Sequence, residues 1–164
     1  MLPIFENLFS ESVLKGVGKI IESVKEKKQM KESLYKKLDD ALNSIIFISF
    51  EQEFKGNIFI DAHNNLNEIY IDFQKVFNDD ALKGIQKIIN IFKDFMEKPF
   101  SNPDYKIKDI LPNYIYPDSF GSNEPLKDIK SLQTLLKTAY IDELKPLLEK
   151  ELKINDKEKG VKCK

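Results

Sequence analysis

Apolar residues recur at spacings of three and four along most of this chain. The clearest series runs from residue 58 to residue 77, and comparable series cover residues 10–27, 30–46, 81–97 and 126–152. In an α-helix this spacing places the apolar side chains on one face, which is then buried against other helices. The pattern predicts an all-α fold, a single-domain helical bundle of about five to seven helices. The 58–77 series consists of Phe59, Ala62, Leu66, Ile69, Tyr70, Phe73, Val76 and Phe77.

The sequence leaves several helix boundaries open. Residues 10–27 and 30–46 form either one bent helix or two helices, because the polar run at 26–29 shifts the phase of the apolar pattern. Residues 47–54 fit a helix or a short strand, and we favour a helix because no partner strand is evident. Pro146 is expected to kink or break the last helix, since proline lacks the backbone N–H and its ring clashes with the preceding turn.

Residues 98–125 differ from the rest of the chain because they hold five of the seven prolines and several tyrosines. This composition predicts one long Pro/Tyr-rich loop, with a short helical turn at 104–111. Loops of this length are uncommon in compact domains and are often functional. The predicted organisation is therefore a helical domain over 1–154, interrupted by this loop, followed by a polar lysine-rich tail over 155–164 that is expected to fray.

Composition excludes several kinds of catalytic site. The 164 residues suit one domain, and all 26 basic residues are lysine, with one histidine, His63, and one cysteine, Cys163. Without arginine, no guanidinium clamp on phosphate or carboxylate is possible, and a zinc site built on cysteine and histidine lacks ligands. We therefore predict no catalytic residue, no metal and no cofactor. The net charge of -1 also gives no basis for a nucleic-acid partner.

The remaining motifs have simpler structural interpretations. The run Gly16–Lys19 lacks the first glycine and the Ser or Thr of a phosphate-binding loop. His63 is expected as an exposed or half-buried residue on a solvated polar face of its helix, with a pH-sensitive contact or a weak cation site as the alternative. Of the acidic pairs Asp39–Asp40, Asp79–Asp80 and Asp142–Glu143, two are expected at helix starts, where capping is favoured over acid–base catalysis.

The size and helical pattern resemble the helical ribonuclease domains of prokaryotic toxin systems. Their signature pairs an arginine with a histidine four to six residues later, whereas those positions before His63 hold Asn57, Ile58 and Phe59. That resemblance therefore implies a shape without the catalytic pair. The stretch of residues 12–21 is similar to helical modules at the front of prokaryotic NLR-type defence NTPases, a likeness that implies signalling or membrane-directed effector work.

The sequence favours a cytoplasmic location. A single cysteine cannot form an internal disulfide, the first residues do not resemble a signal peptide, and the longest apolar run is Ile45–Ile48.

Two aromatic surfaces are the predicted partner-binding sites. One is the N-terminal segment and the other is the Pro/Tyr-rich loop, because exposed aromatic residues are effective anchors at protein interfaces. The leading hypothesis is a non-enzymatic interaction protein (adaptor, inhibitor or regulatory subunit) in a prokaryotic defence or counter-defence setting. The alternative is a membrane-directed effector whose N-terminal amphipathic helix lies on lipid. The sequence leaves the oligomeric state open. The predicted binding residues are Phe5, Phe9, Tyr105, Tyr114, Tyr116 and Phe120.

Overall fold

The chain is mostly helical in a computed structural model. It describes the backbone of residues 2–99, 104–117 and 124–152, and the side chains of residues 24–99, 104–117 and 126–152. The elements are, in order, α1 (Leu2–Ile46), β1 (Phe54–Lys55), α2 (Asn57–Val76), α3 (Asp79–Glu97), α4 (Ile107–Ile110), a 3₁₀ turn (Leu111–Asn113), β2 (Ile115–Tyr116), α5 (Glu124–Leu136) and a π-helix (Lys137–Leu144).

The first two apolar series belong to one continuous helix. α1 has 45 residues and is about 67 Å long at 1.5 Å per residue. The polar run at 26–29 does not interrupt it. α2 and α3 have 20 and 19 residues, so α1 is more than twice the length of either helix. Asn78 is the N-cap of α3, since its side chain accepts a hydrogen bond from the N–H of Ala81 at 3.0 Å.

The prediction of a helix over residues 47–54 is wrong. α1 ends at Ile46, and Phe54 and Lys55 form β1, which pairs antiparallel with β2. Phe54 lies opposite Tyr116 in this two-stranded ladder. The partner strand comes from the Pro/Tyr-rich loop, about sixty residues further along the chain. Local sequence therefore held no sign of the pairing.

The chain does not break at Pro146. α5 continues into the π-helix, and the α-helix resumes over residues 145–152, so that residues 124–152 form one composite helix. The N–H of Lys145 donates to the carbonyl of Tyr140, five residues earlier. The wider π-helical pattern ends directly before the residue that has no N–H to donate, which lets the helix accommodate the proline.

The core lies between α1, α2, α3 and the composite helix, each of which packs against its neighbours. The composite helix runs antiparallel to α1, because Gln133 hydrogen-bonds the carbonyl of Ile45 while Glu151 pairs with Lys31. In the part of the chain whose side chains are described, the tyrosines Tyr114 and Tyr140 are the only buried residues whose side chains carry a polar group. The largest buried side chains are Tyr140, Phe59, Phe73, Phe92, Leu38, Leu42, Ile45 and Leu66.

Candidate interaction surface

Lys31 lies level with the end of α2 and with the last described turn of the composite helix. Its ammonium group lies 3.0 Å from Oε1 of Glu151, in the last described turn of the composite helix. The same group sits over the ring of Phe77, directly after the end of α2, at 5.8 Å from the ring centroid. Residues 2–29 of α1 therefore extend about 42 Å beyond the end of α2 and beyond the last described turn of the composite helix. We call these 28 residues the projecting segment.

The core-facing side of α1 continues into the projecting segment. Val24 and Leu42 are 18 residues apart, which is five turns of an α-helix, so the two residues share one face. Leu42 is 0% exposed in the core, whereas Val24 is 64% exposed. The same apolar face of α1 is thus covered on the C-terminal side of Lys31, at Leu42, and uncovered on the N-terminal side, at Val24. A fully buried valine contributes about 1.5–3 kcal/mol, which makes this face favourable for a partner to cover.

Phe5 and Phe9 belong to the helical backbone of α1, but their side chains lie outside the described residues. By position, the apolar residues Val17 and Ile20 fall on the same helical face as Val24. The sequence prediction that this part of the chain binds a partner therefore concerns the same segment that extends past the core.

The tyrosines of the loop are used largely in packing. Tyr114 is 2% exposed, and its carbonyl accepts a hydrogen bond from the N–H of Gly56 at 2.8 Å. The ring of Tyr116 stacks on Phe54 at 4.9 Å between centroids, and its hydroxyl donates to the carbonyl of Phe50 at 3.0 Å. The loop is therefore attached to the connection between α1 and α2.

Tyr105 is the exception among the predicted loop residues, because its side chain is 55% exposed. Phe120 lies outside the described residues. The partner-binding role of the four loop residues stays a prediction, and only Tyr105 offers a largely exposed aromatic side chain among the three that are described.

A polar cluster around Asp39 joins α1 to the composite helix, and sequence reasoning missed it. Oδ1 of Asp39 accepts a hydrogen bond from the hydroxyl of Tyr140 at 2.5 Å and lies 3.1 Å from the ammonium group of Lys145. Oδ2 accepts from the side-chain amide of Asn43 at 3.1 Å. Burial, and then the hydrogen bond to Asp39, raise the pKa of Tyr140, while the hydrogen bond to Asp39 raises the pKa of Lys145. Both groups are therefore held protonated, which suits a structural role.

The structure places fewer acidic pairs at helix starts than the two that the sequence predicts. Asp39–Asp40 lies in the interior of α1, and Asp142–Glu143 lies within the π-helix. Only Asp79–Asp80 stands in the first turn of a helix. Of two pairs expected at helix starts, the structure therefore places one there, because α1 neither begins nor ends near residue 39.

His63 is half-buried, with its ring stacked near that of Phe92 at 6.2 Å between centroids. Burial, and then the charge of Lys93, lower the pKa of the imidazole. The half-buried position is one of the two that the sequence interpretation allowed, an exposed or a half-buried histidine. Within the described ranges, no group of three histidine, cysteine or acidic residues is placed to hold a metal ion.

An open groove of about 560 Å³ lies between α1 and α2. Its apolar residues are Leu34, Ala41 and Ile69, and polar or charged residues of both helices form its sides. Asp72 on one side is paired with Lys75 at 3.2 Å. None of the residues of the Asp39 cluster lines this groove, because the cluster lies on the side of α1 that faces the composite helix. The charged and polar lining residues are Lys37, Asp40, Asn65, Glu68 and Asp72.

The chain matches no protein-family model, no curated protein and no solved structure. In the described part of the chain, no helix combines the length and apolar character needed to cross a membrane.

Proposed function

We propose that this chain is a non-enzymatic interaction protein, an adaptor, inhibitor or regulatory subunit, that binds a protein partner through the projecting segment. The observation that carries the proposal is the exposure of Val24 on the same helical face that buries Leu42 in the core. A helix that presents an apolar stripe beyond its own bundle has the form of a helix that docks against another helix or groove. The prokaryotic defence setting and the cytoplasmic location belong to the same proposal and rest on the sequence.

The internal packing of the loop favours this segment over the loop as the binding surface. Tyr114 and Tyr116 already make contacts within the chain, so a partner would gain little additional buried area from them. Val24, in contrast, is followed by exposed charged residues at 25–27. A polar surround of this kind is typical of the rim of a protein interface.

The test is a single substitution on the exposed face in the full-length chain. Val24→Glu places a charge on the face, whereas Gln29→Glu adds the same charge at an exposed position on the other side of α1. Affinity purification with quantitative mass spectrometry is expected to lose the partner with Val24→Glu and to retain it with Gln29→Glu. Unchanged circular dichroism would show that both variants fold. Equal recovery of every partner by both variants would overturn the proposal.

A membrane surface is the second candidate for this face. The exposed Val24 lies beside the exposed lysines Lys25 and Lys27, an arrangement found in helices that lie on anionic lipid. Flotation with anionic vesicles tests this function, and Val24→Glu is expected to abolish flotation while Gln29→Glu weakens it only slightly. Absence of flotation by the unmodified chain would exclude it.

A further inference from the structure

We infer that the partner of the projecting segment is a second copy of this chain, bound so that the two α1 helices run antiparallel. This inference rests on the proposed function and specifies the occupant of the same face. The starting observation is again the uncovered continuation of the core face at Val24. Self-association of one face gives a symmetric pair, in which each residue meets its counterpart across a two-fold axis.

The distribution of charge in the projecting segment favours antiparallel pairing. Residues 2–12 carry Glu6 and Glu11 and no lysine, which gives them a net charge of -2. Residues 14–24, which face residues 2–12 when Val13 lies on the two-fold axis, carry Lys15, Lys19 and Glu22, a net charge of +1. In an antiparallel pair the acidic part of each helix lies beside the basic part of the other, whereas a parallel pair would place like charges together.

The apolar positions match in the same orientation. When Val13 lies opposite its own copy on the two-fold axis, residue numbers that face each other add up to 26. Leu2 then lies opposite Val24, Phe5 opposite Ile21, and Phe9 opposite Val17, so that each of these pairs joins two apolar residues. Among these paired residues, only Val24 has a described side chain. That side chain is exposed in the single chain, and the pairing would bury it.

The length of α1 leaves room for this arrangement. Lys31 is 18 residues from Val13, or about 27 Å along the helix. The ends of the two bundles would therefore stand about 54 Å apart on opposite sides of the two-fold axis. Because the bundles would be far from each other, the helix pair would form the whole interface.

The first experiment measures the mass of the full-length chain in solution by light scattering over a concentration series. The unmodified chain is expected at twice the 19.1 kDa of one chain, and Gln29→Glu at the same mass. Val24→Glu is expected to show a twofold lower mass. A monomeric unmodified chain, or a dimer that Val24→Glu leaves unchanged, would overturn the inference.

The second experiment determines orientation through charge. The double reversal of Glu6 and Glu11 to lysine is expected to weaken the dimer at least tenfold, because both parts of the segment are then basic. Adding Lys15→Glu and Lys19→Glu to that variant exchanges the charges of the two parts. The quadruple variant is expected to regain the dimer if the helices are antiparallel, whereas a parallel pair would still place like charges together.

Cross-linking gives an independent measure of orientation. In a Cys163→Ser background, a cysteine at Ser12 lies near its copy in the antiparallel pair, whereas cysteines at Asn7 lie about 18 Å apart, too far for a disulfide. Only Ser12→Cys is therefore expected to cross-link. Cross-linking of both variants would show a parallel pair, and cross-linking of neither would show no pair of this kind; either result overturns the inference.

The result also separates this inference from the proposed function. If the chain is monomeric but Val24→Glu abolishes capture of another protein, the second copy is excluded and the proposed function stands. If the chain is monomeric, Val24→Glu leaves every captured protein bound and vesicle binding depends on Val24, both the second copy and the protein partner are excluded.

Discussion

The hydroxyl of Tyr140 donates a hydrogen bond to Oδ1 of Asp39 at 2.5 Å, which joins the π-helix to the interior of α1. Tyr140 is 0% exposed, so the hydroxyl has no access to water if this acceptor is lost. Lys145 contacts the same carboxylate at 3.1 Å and is the first residue after the π-helix. The register of the π-helix therefore determines which side chains reach Asp39.

Tyr140→Phe is expected to lower the free energy of unfolding by about 1.5–3 kcal/mol, because it removes a hydrogen bond to a charged acceptor. Chemical denaturation followed by circular dichroism measures the change. Tyr105→Phe is the matched control, since its side chain is 55% exposed and the change there is expected to stay within about 0.5 kcal/mol. Equal stability of the two variants would show that the hydrogen bond contributes nothing.

Gly56→Ala is expected to destabilise the attachment of the loop to the start of α2. A Cβ at residue 56 would overlap the backbone carbonyl of Leu111 and stand 3.0 Å from Cβ of Tyr114. Overpacking of this kind is expected to cost about 1–3 kcal/mol in unfolding experiments. Gly84→Ala is the comparison, because its Cβ would stand 2.6 Å from Cδ1 at the end of the Leu144 side chain rather than against backbone. The alanine also improves helix propensity by about 1 kcal/mol. A larger loss at Gly84 than at Gly56 would contradict this account.

The stability of the protein is expected to fall as the pH drops below the ordinary pKa of histidine. Burial and Lys93 hold the pKa of His63 below 6.5, so the folded protein takes up the proton less readily than the unfolded chain. The stabilisation from neutral His63 is thus complete above pH 6.5 and is lost as the pH falls through the lowered pKa. Unfolding measured on both sides of this value should show the loss, and His63→Gln should remove it. A slope of opposite sign in the unmodified protein would contradict the prediction.

Glu97 is expected to affect the stability of the protein over a lower pH range than His63. Hydrogen bonds from Lys106 and Lys108, at 2.5 and 2.8 Å, lower its pKa from 4.5 to about 2. The stability these contacts add is present above pH 4.5 and is lost as the pH falls toward 2. The difference in unfolding midpoint between the unmodified protein and Glu97→Gln should narrow over this range. It should also narrow in high salt, since the contacts are partly exposed. If the difference in unfolding midpoint changed with neither pH nor salt, the charges of these groups would not be responsible for it.

The helices could be predicted from the sequence because each buries its own apolar stripe. The spacing from Phe59 to Val76 identifies α2, and Asn78 with the acidic residues after it identifies the start of α3. These signals are local in sequence, so they can be recognised without knowing which elements pack against the helix. A short helical turn was also expected at 104–111, and α4 forms over Ile107–Ile110.

The features that could not be predicted depend on residues distant in sequence. Phe54 pairs with Tyr116, and Asp39 meets Tyr140, through contacts across 62 and 101 residues. Neither β1 nor β2 has more than two residues, so neither shows an alternating pattern of its own. The exposed face at Val24 was seen in the sequence only as part of an amphipathic helix. Its lack of cover became evident only from the 64% exposure of Val24 and from the end of α2 near Lys31.

The continuity of α1 has a consequence for how the projecting segment becomes helical. Starting an α-helix in water is unfavourable by a factor of about 10⁻³, whereas each added residue of an existing helix is nearly neutral. The core packs Leu34, Leu38 and Leu42 and so supplies a nucleus from which residues 29 back to 2 can extend. A core substitution such as Leu38→Ala would therefore weaken the order of a surface more than 20 Å away without touching it.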